Sequence, residues 1–95
     1  MYFLSMDIVW DPEKAKSNFR KHKIHFADAE SVLYDTMALT IEDQEIDGEK
    51  RFVTVGSDST GKIVLVVYMY RGNSIRLISA RRAKSSERRC YEEGI

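Results

Sequence analysis

Ninety-five residues, 43% of them hydrophobic, suffice for one small core, so a single domain over residues 1–95 is expected. Fifteen Lys and Arg balance fifteen Asp and Glu, so bulk charge points to neither a nucleic acid nor a membrane. The lone cysteine, Cys90, excludes an intrachain disulfide framework and favours a reducing cytoplasm, and the longest uncharged apolar run, Ile63–Tyr70, falls far short of the ~20 residues that cross a bilayer.

The opening MYFLSMDIVW is apolar but lacks a cationic leader and meets Asp7 too early for a signal peptide. Asp11-Pro12-Glu13 predicts a helix start, with Asp as N-cap, Pro at the first helical position and an acid in the first turn. Trp10 is placed to staple back onto that turn. The helix is expected to run to about Lys21 or His22, with Ala15 and Phe19 inward. A second helix is expected from about Phe26 to Tyr34, burying Phe26, Ala29 and Leu33.

The period then changes to two. Met37, Leu39 and Ile41 alternate with Ala38, Thr40 and Glu42, the mark of a first strand. An acidic loop containing Gly48 follows, then a strand from Arg51 to Gly56. Ser57–Gly61 reads as a hairpin loop into Ile63–Tyr70, a Val- and Tyr-rich run suited to a central strand buried on both faces, with Tyr68 and Tyr70 in the core. Arg71-Gly72-Asn73 is a second turn, and Ser74–Ala80 a fourth strand. Ser85 or Ser86 caps a final helix that ends near Glu93, with Glu87 in its first turn. The fold class is α+β: two N-terminal helices, a four-stranded antiparallel meander and a C-terminal helix.

Charge is segregated along this chain. Residues 14–23 hold five Lys or Arg and no acid; residues 24–49 hold eight acids and no Lys or Arg; residues 71–95 hold seven bases against three acids. Two cationic patches thus stand behind a neutral total, as in proteins that bind nucleic acid through one face. Arg81 and Arg82 fall at a strand end, where a turn of the backbone can bring both to one edge. Guanidinium groups there grip phosphate or stabilise a pentacoordinate phosphorus transition state; the structural alternative is an ion pair with the acidic segment. His22 with Lys21 closes the first helix, where an imidazole either complements the helix dipole or acts as general base or acid, with Asn18 one turn earlier placed to orient its ring. In the last helix Arg88 and Arg89 precede Glu92 and Glu93, the reverse of the order helices prefer, which favours placement for a partner. Tyr91 shares a face with Arg88. His22, His25 and Cys90 have no recognised ligand spacing, so neither metal nor cofactor is expected.

Taken together, WDPEKAKSNFRKHKIHFADAESVLYD, a strand meander and IRLISARRAKSSERRCYEE resemble the BrnT family of ribonuclease toxins from bacterial type II toxin–antitoxin pairs. The sharpest elements are Trp10-Asp11-Pro12, Asn18 with Lys21-His22, Phe26 with Ala29, and Ser79–Ala83 followed by Glu87-Arg88 and Tyr91. The resemblance implies a RelE-like fold, RNA cleavage that halts translation, and neutralisation by a BrnA-type antitoxin. That antitoxin carries a ribbon-helix-helix domain and represses the shared operon with the toxin as corepressor, so operator DNA is met through the antitoxin. On this reading His22 is base or acid, Arg81 and Arg82 stabilise charge, Arg88 and Tyr91 support them, and Lys21 and Arg89 position the RNA backbone. Two departures stand out. The family often has Gly after the Lys-His pair, where this chain has Lys23; and MYFLS precedes the family pattern, making Met6 a candidate start. A non-catalytic nucleic-acid-binding or corepressor module is the alternative, because it keeps the basic patches without needing His22.

Overall fold

The computed structural model describes residues 7–94, apart from the side chains of residues 41–44 and 46. Its elements run β1 (Asp7–Val9), α1 (Pro12–His22), α2 (Phe26–Ala29) continued by a 3-10 helix (Glu30–Tyr34), β2 (Leu39–Ile46), β3 (Glu49–Ser57), β4 (Ile63–Arg71), β5 (Ser74–Arg82) and α3 (Ser85–Glu93). The sheet order is β1-β5-β4-β3-β2. The meander is antiparallel as expected, but β1 adds a fifth strand, parallel to β5, so the sheet is mixed. Three residues are too few to show an alternation, which is why Asp7–Val9 does not announce itself as a strand. The prefix MYFLS and Met6 lie outside the described residues.

Local chemistry explains most boundaries. Asp11 caps α1 by accepting the Glu13 N–H at 2.9 Å, and Pro12 occupies the first position. The second helix departs from expectation, because after one α-helical turn it tightens to 3-10. At about three residues per turn, positions i and i+3 align, so Phe26, Ala29 and Val32 enter the core while Leu33 is only partly buried. Met37 does not begin a strand. It sits in a turn, 64% exposed, its N–H held by Asp35 Oδ1. Ile41 and Glu42 belong to β2, but their side chains are outside the described residues.

The segment read as an acidic loop is largely strand. Asp47 and Gly48, at φ 52° and 79°, make the two-residue turn whose backbone twist matches a hairpin, and β2 and β3 pair almost up to it. Tyr68 is buried as expected, whereas Tyr70 is 47% exposed near the strand end. The N-cap of α3 is Lys84 rather than a serine. Its own N–H is bound by Glu87 Oε1 at 2.7 Å, the reach back from the third helical residue to the cap that forms half of a capping box. No helix among the described residues is long and apolar enough to cross a membrane.

The main core cluster lies on one face of the sheet, where Ile24, Phe26, Ala29 and Val32 meet Val64, Val66, Tyr68, Leu77 and Ala80. At the β5 edge the packing is polar. Beyond Arg76, the last residue paired with β1, the buried Asn18 carboxamide accepts the Ala80 N–H at 3.0 Å and donates to the Ala80 carbonyl at 2.8 Å. It thereby takes the place a neighbouring strand's peptide would hold. Its other N–H bonds the Ile24 carbonyl at 3.0 Å, fixing the chain as it leaves α1. Between them Lys23 adopts the left-handed conformation, φ 59° and ψ 29°, and returns its N–H to the Phe19 carbonyl. A side chain there costs about 1–2 kcal/mol.

Two substitutions test this account by chemical denaturation. Asn18→Ala strands one donor and two acceptors in a buried edge and is expected to cost about 3–5 kcal/mol. Lys23→Gly relieves the left-handed penalty and is expected to stabilise by about 0.5–1 kcal/mol, offset in part by losing the Lys23 ammonium 5.6 Å from the Phe19 ring.

Candidate functional site

Because Asn18 holds α1 along the β5 edge, the residues one turn to either side of it overhang that edge. Lys14, Ser17, Lys21 and His22 line a shallow cleft of about 240 Å³ with Ile78 and Ser79. Lys14, Lys21 and His22 are all exposed. The expected pair of Lys21 and His22 is therefore together in one place. Lys14 was missed, although its spacing of seven from Lys21 marks the same helical face. Asn18 does not orient the His22 ring as expected; both its amide nitrogen and its oxygen are committed to backbone.

The two strand-end arginines part company. β5 continues through Arg82, with Arg82 opposite Val64 and Arg81 opposite Leu65, so their side chains leave opposite faces instead of sharing an edge. Arg82 emerges exposed on the core face, two residues beyond the Ala80 that Asn18 binds. Arg81 turns to the other face and grips Glu87 through two bonds of 2.9 Å. The carboxylate is from α3, not from the acidic segment. That pairing holds the guanidinium above its usual pKa and Glu87 below the usual carboxylate range, each chiefly through the bonds between them. With both oxygens of Glu87 on Arg81 and one also on the Lys84 N–H, this arginine ties strand to helix.

The remaining candidates lie on α3, which has no fully buried residue. Arg88 makes a loose pair with Glu92 at 3.6 Å, with both side chains more than half exposed, an arrangement of little energetic weight. Arg89 is exposed and makes no ion pair among the described residues. Tyr91 donates its hydroxyl to Asp35 Oδ2 at 2.6 Å, and the same oxygen accepts the Ser57 N–H at 2.9 Å. Asp35 lies below its ordinary pKa because of the Ser57 N–H first and Tyr91 second, while the Asp35 carboxylate raises the Tyr91 phenol. Tyr91 is thus held as a protonated donor. The carboxylate reaches this place past Gly56, where an added Cβ would meet Asp35 Oδ2, Val32 and Ala38, each at 3.1 Å. No sequence signal marks Asp35, whose partners are fixed only by the tertiary fold. Among the described residues no cluster of three or more His, Cys, Asp or Glu side chains is arranged to hold a metal ion.

With this geometry established, two comparisons bear on it. The family model for the ribonuclease toxin BrnT of type II toxin–antitoxin systems matches residues 10–87. The 1.1 Å crystal structure of the Brucella abortus ribonuclease toxin, BrnT, is similar with a TM-score of 0.67 and 28% identity, covering 85% of this chain and 100% of that one. No curated protein matches the sequence.

The anchors of α3 carry a pH signature. Asp35 and Glu87 both have lowered folded pKa values, so the stability they contribute is present above the unfolded carboxylate values near 4 and is lost as pH falls through the lowered folded ones. Tyr91→Phe is expected to destabilise by about 1–2 kcal/mol at neutral pH, where Asp35 is ionised. Denaturation curves at pH 7 and pH 3 check this: the gap between wild type and variant shrinks in acid. A gap that is unchanged would mean the bond is not charge-assisted.

Proposed function

The chain belongs to the BrnT family of ribonuclease toxins of type II toxin–antitoxin systems, and from that premise we propose that it is a metal-independent endoribonuclease whose chemistry is centred on the α1–β5 cleft. The observation that carries this reading is the convergence of His22, Lys21 and Lys14 over the β5 edge, with Arg82 exposed at the end of the same strand. Cleavage by 2′-OH attack needs a base for the hydroxyl proton, cations for the charge on the phosphorane, and an acid for the departing 5′-oxygen. His22 is the imidazole lining the cleft and takes the part of general base or acid. Lys21 and Lys14 offer ammonium groups to the phosphate backbone, and Arg82 a guanidinium free of any ion pair among the described residues.

The other candidates keep a place with altered duties. Arg81, bound to Glu87, and Tyr91, bound to Asp35, act by holding α3 against the sheet; a phosphate would have to compete with those carboxylates to reach them. Arg88 and Arg89 present cations on the exposed side of that helix for the RNA backbone. The wider reading follows the family: a RelE-like toxin that cleaves RNA, inhibits translation in the cytoplasm, and is covered by a BrnA-type ribbon-helix-helix antitoxin with which it represses its operon. The segregation of cations on α1 and α3 supports an antitoxin that brings carboxylates to at least one of them.

Purified protein is expected to cleave RNA in the presence of EDTA. His22→Ala is expected to lower the rate by about 10²–10⁴-fold with RNA binding kept. Arg82→Ala should lose activity without loss of stability, whereas Arg81→Ala should lose stability as well. Cleavage that appears only with an added divalent ion would overturn the mechanism. Full activity in His22→Ala would move the proton transfer to another group, and binding without any cleavage by wild type would favour a corepressor module.

A further inference from the structure

The opposite flank of α1 carries a second, larger concavity that the cleavage chemistry does not use. A groove of about 670 Å³ runs between α1 and α2, lined by Trp10, Phe19 and His25, with Lys16 and Arg20 on its α1 side and Asp28 on its α2 side. It is within the size range of small-ligand sites. The His25 ring is exposed and stacked on Phe19, with centroids 3.9 Å apart and planes within 11°. Phe19 itself lies under the Lys23 ammonium. The imidazole is thereby held flat by its neighbours, which removes the entropy that an aromatic platform otherwise loses when something stacks on it. Trp10 is fixed in turn, edge-on to the buried Phe26 at 6.0 Å.

The charges favour one class of occupant. Arg20 is exposed with no ion pair among the described residues, and Lys16 has only a loose, exposed contact with Glu13 at 3.7 Å. Both sit on the helix that also presents Lys21 and His22 to the cleft on its other flank. A polyanion lying across the exposed ridge of α1 meets cations on both sides. Asp28, on the far wall, has one carboxylate oxygen taken by the Ser59 hydroxyl at 2.8 Å. Its remaining acceptor capacity repels phosphate and suits the N–H groups of a base edge; it also disfavours an acidic peptide. Cations at the rim, flat rings within and an acceptor at the back fit a nucleotide, with phosphate outward and base inward.

We propose that this groove seats a base of single-stranded RNA stacked on His25 beside Trp10, a subsite for a nucleotide flanking the one at the α1–β5 cleft. The assignment rests on the ribonuclease reading above and adds to it the selection of unpaired RNA. A base inside a duplex cannot enter the groove, so paired RNA loses this contact.

Trp10 is the only tryptophan in the chain, so its fluorescence reports on the groove directly. The probe is a short single-stranded 2′-O-methyl RNA, which offers no free 2′-hydroxyl for attack, beside a counterpart of equal length carrying abasic sites. The intact oligonucleotide is expected to quench Trp10 and to bind about tenfold more tightly than the abasic one, the weight of one stacked base. His25→Ala is expected to abolish that tenfold advantage, leaving abasic binding unchanged, and His25→Phe to restore it. Equal binding of the two oligonucleotides without quenching, in a protein that still cleaves RNA, overturns the subsite alone. Absence of both binding and cleavage overturns it together with the ribonuclease reading. Quenching by an acidic amphipathic peptide but not by the RNA would make the groove a protein-docking surface and overturn the assignment to RNA.

Discussion

The arrangement depends on how one strand edge is closed. β1 pairs with only three residues of β5, and past Arg76 the outer side of that strand has peptide groups with no strand beside them. An unpaired buried amide costs about 1–3 kcal/mol, so the edge must be covered by something with the hydrogen-bonding pattern of a peptide. The Asn18 carboxamide has that pattern: one acceptor and two donors in one plane. Its three bonds, to Ala80 N–H, Ala80 carbonyl and Ile24 carbonyl, lock the rotation of α1 about its axis as well as its distance from β5. An apolar side chain at this position would bury area yet leave that rotation to be set by packing alone. With the rotation fixed, Lys14, Lys21 and His22 must fall over the edge on one side, and Lys16 and Arg20 on the other.

The last helix is held by another physics. α3 has no fully buried residue and is fastened at two points, the Arg81–Glu87 pair in its first turn and the Tyr91–Asp35 bond near its end. Both side chains of the ion pair are about a quarter exposed, so the pair is partly screened, and its worth lies as much in direction as in energy. The bidentate geometry sets the angle at which α3 leaves β5. Asp35 then fixes its far end, and the missing Cβ at Gly56 makes room for that carboxylate. The protein thus combines an apolar, well-packed face under α2 with a polar attachment for α3. The second depends on charges that acid removes; the first does not.

What could be read from the residues alone divides along the same line. The start of α1, the hairpin loop before β4 and the long apolar strand follow from local rules, because Asp-Pro, glycine turns and an uninterrupted apolar run rich in Val and Tyr act within a few positions. The charge blocks and the Lys21–His22 pair were legible for the same reason, and so was their resemblance to a family. The errors came where a partner distant in sequence decides. Asp7–Val9 is a strand only because β5 lies beside it. Val32 replaces Leu33 in the core because packing tightened an α-helix to 3-10. Asn18 looks like an orienting group for a histidine until Ala80, which the fold brings to it, claims both its nitrogen and its oxygen. Arg81 and Arg82 are adjacent in sequence and could be read as one site; the strand's alternation, extended two residues beyond the expected end, sends them to opposite faces.

A net charge of zero is compatible with the polyanion proposed as substrate, and the strand order shows how. Glu45 of β2 and Asp47 of its turn lie exposed at the sheet edge farthest from β5, while Lys14 and Lys21 of α1 line the β5 edge. The molecule measures 38 × 32 × 26 Å, and charges at physiological salt are screened over about 8 Å. Across that distance the acidic edge contributes little to the field above α1, so a phosphate near Lys21 meets the local cations rather than the total. The separation also restricts where a polyanion can dock, because a chain that strayed across the sheet would meet carboxylates. On the proposed ribonuclease reading neutrality works as selectivity: the cations of α1 and α3 carry the attraction for RNA, and the opposing charge at the β2 edge limits nonspecific binding there.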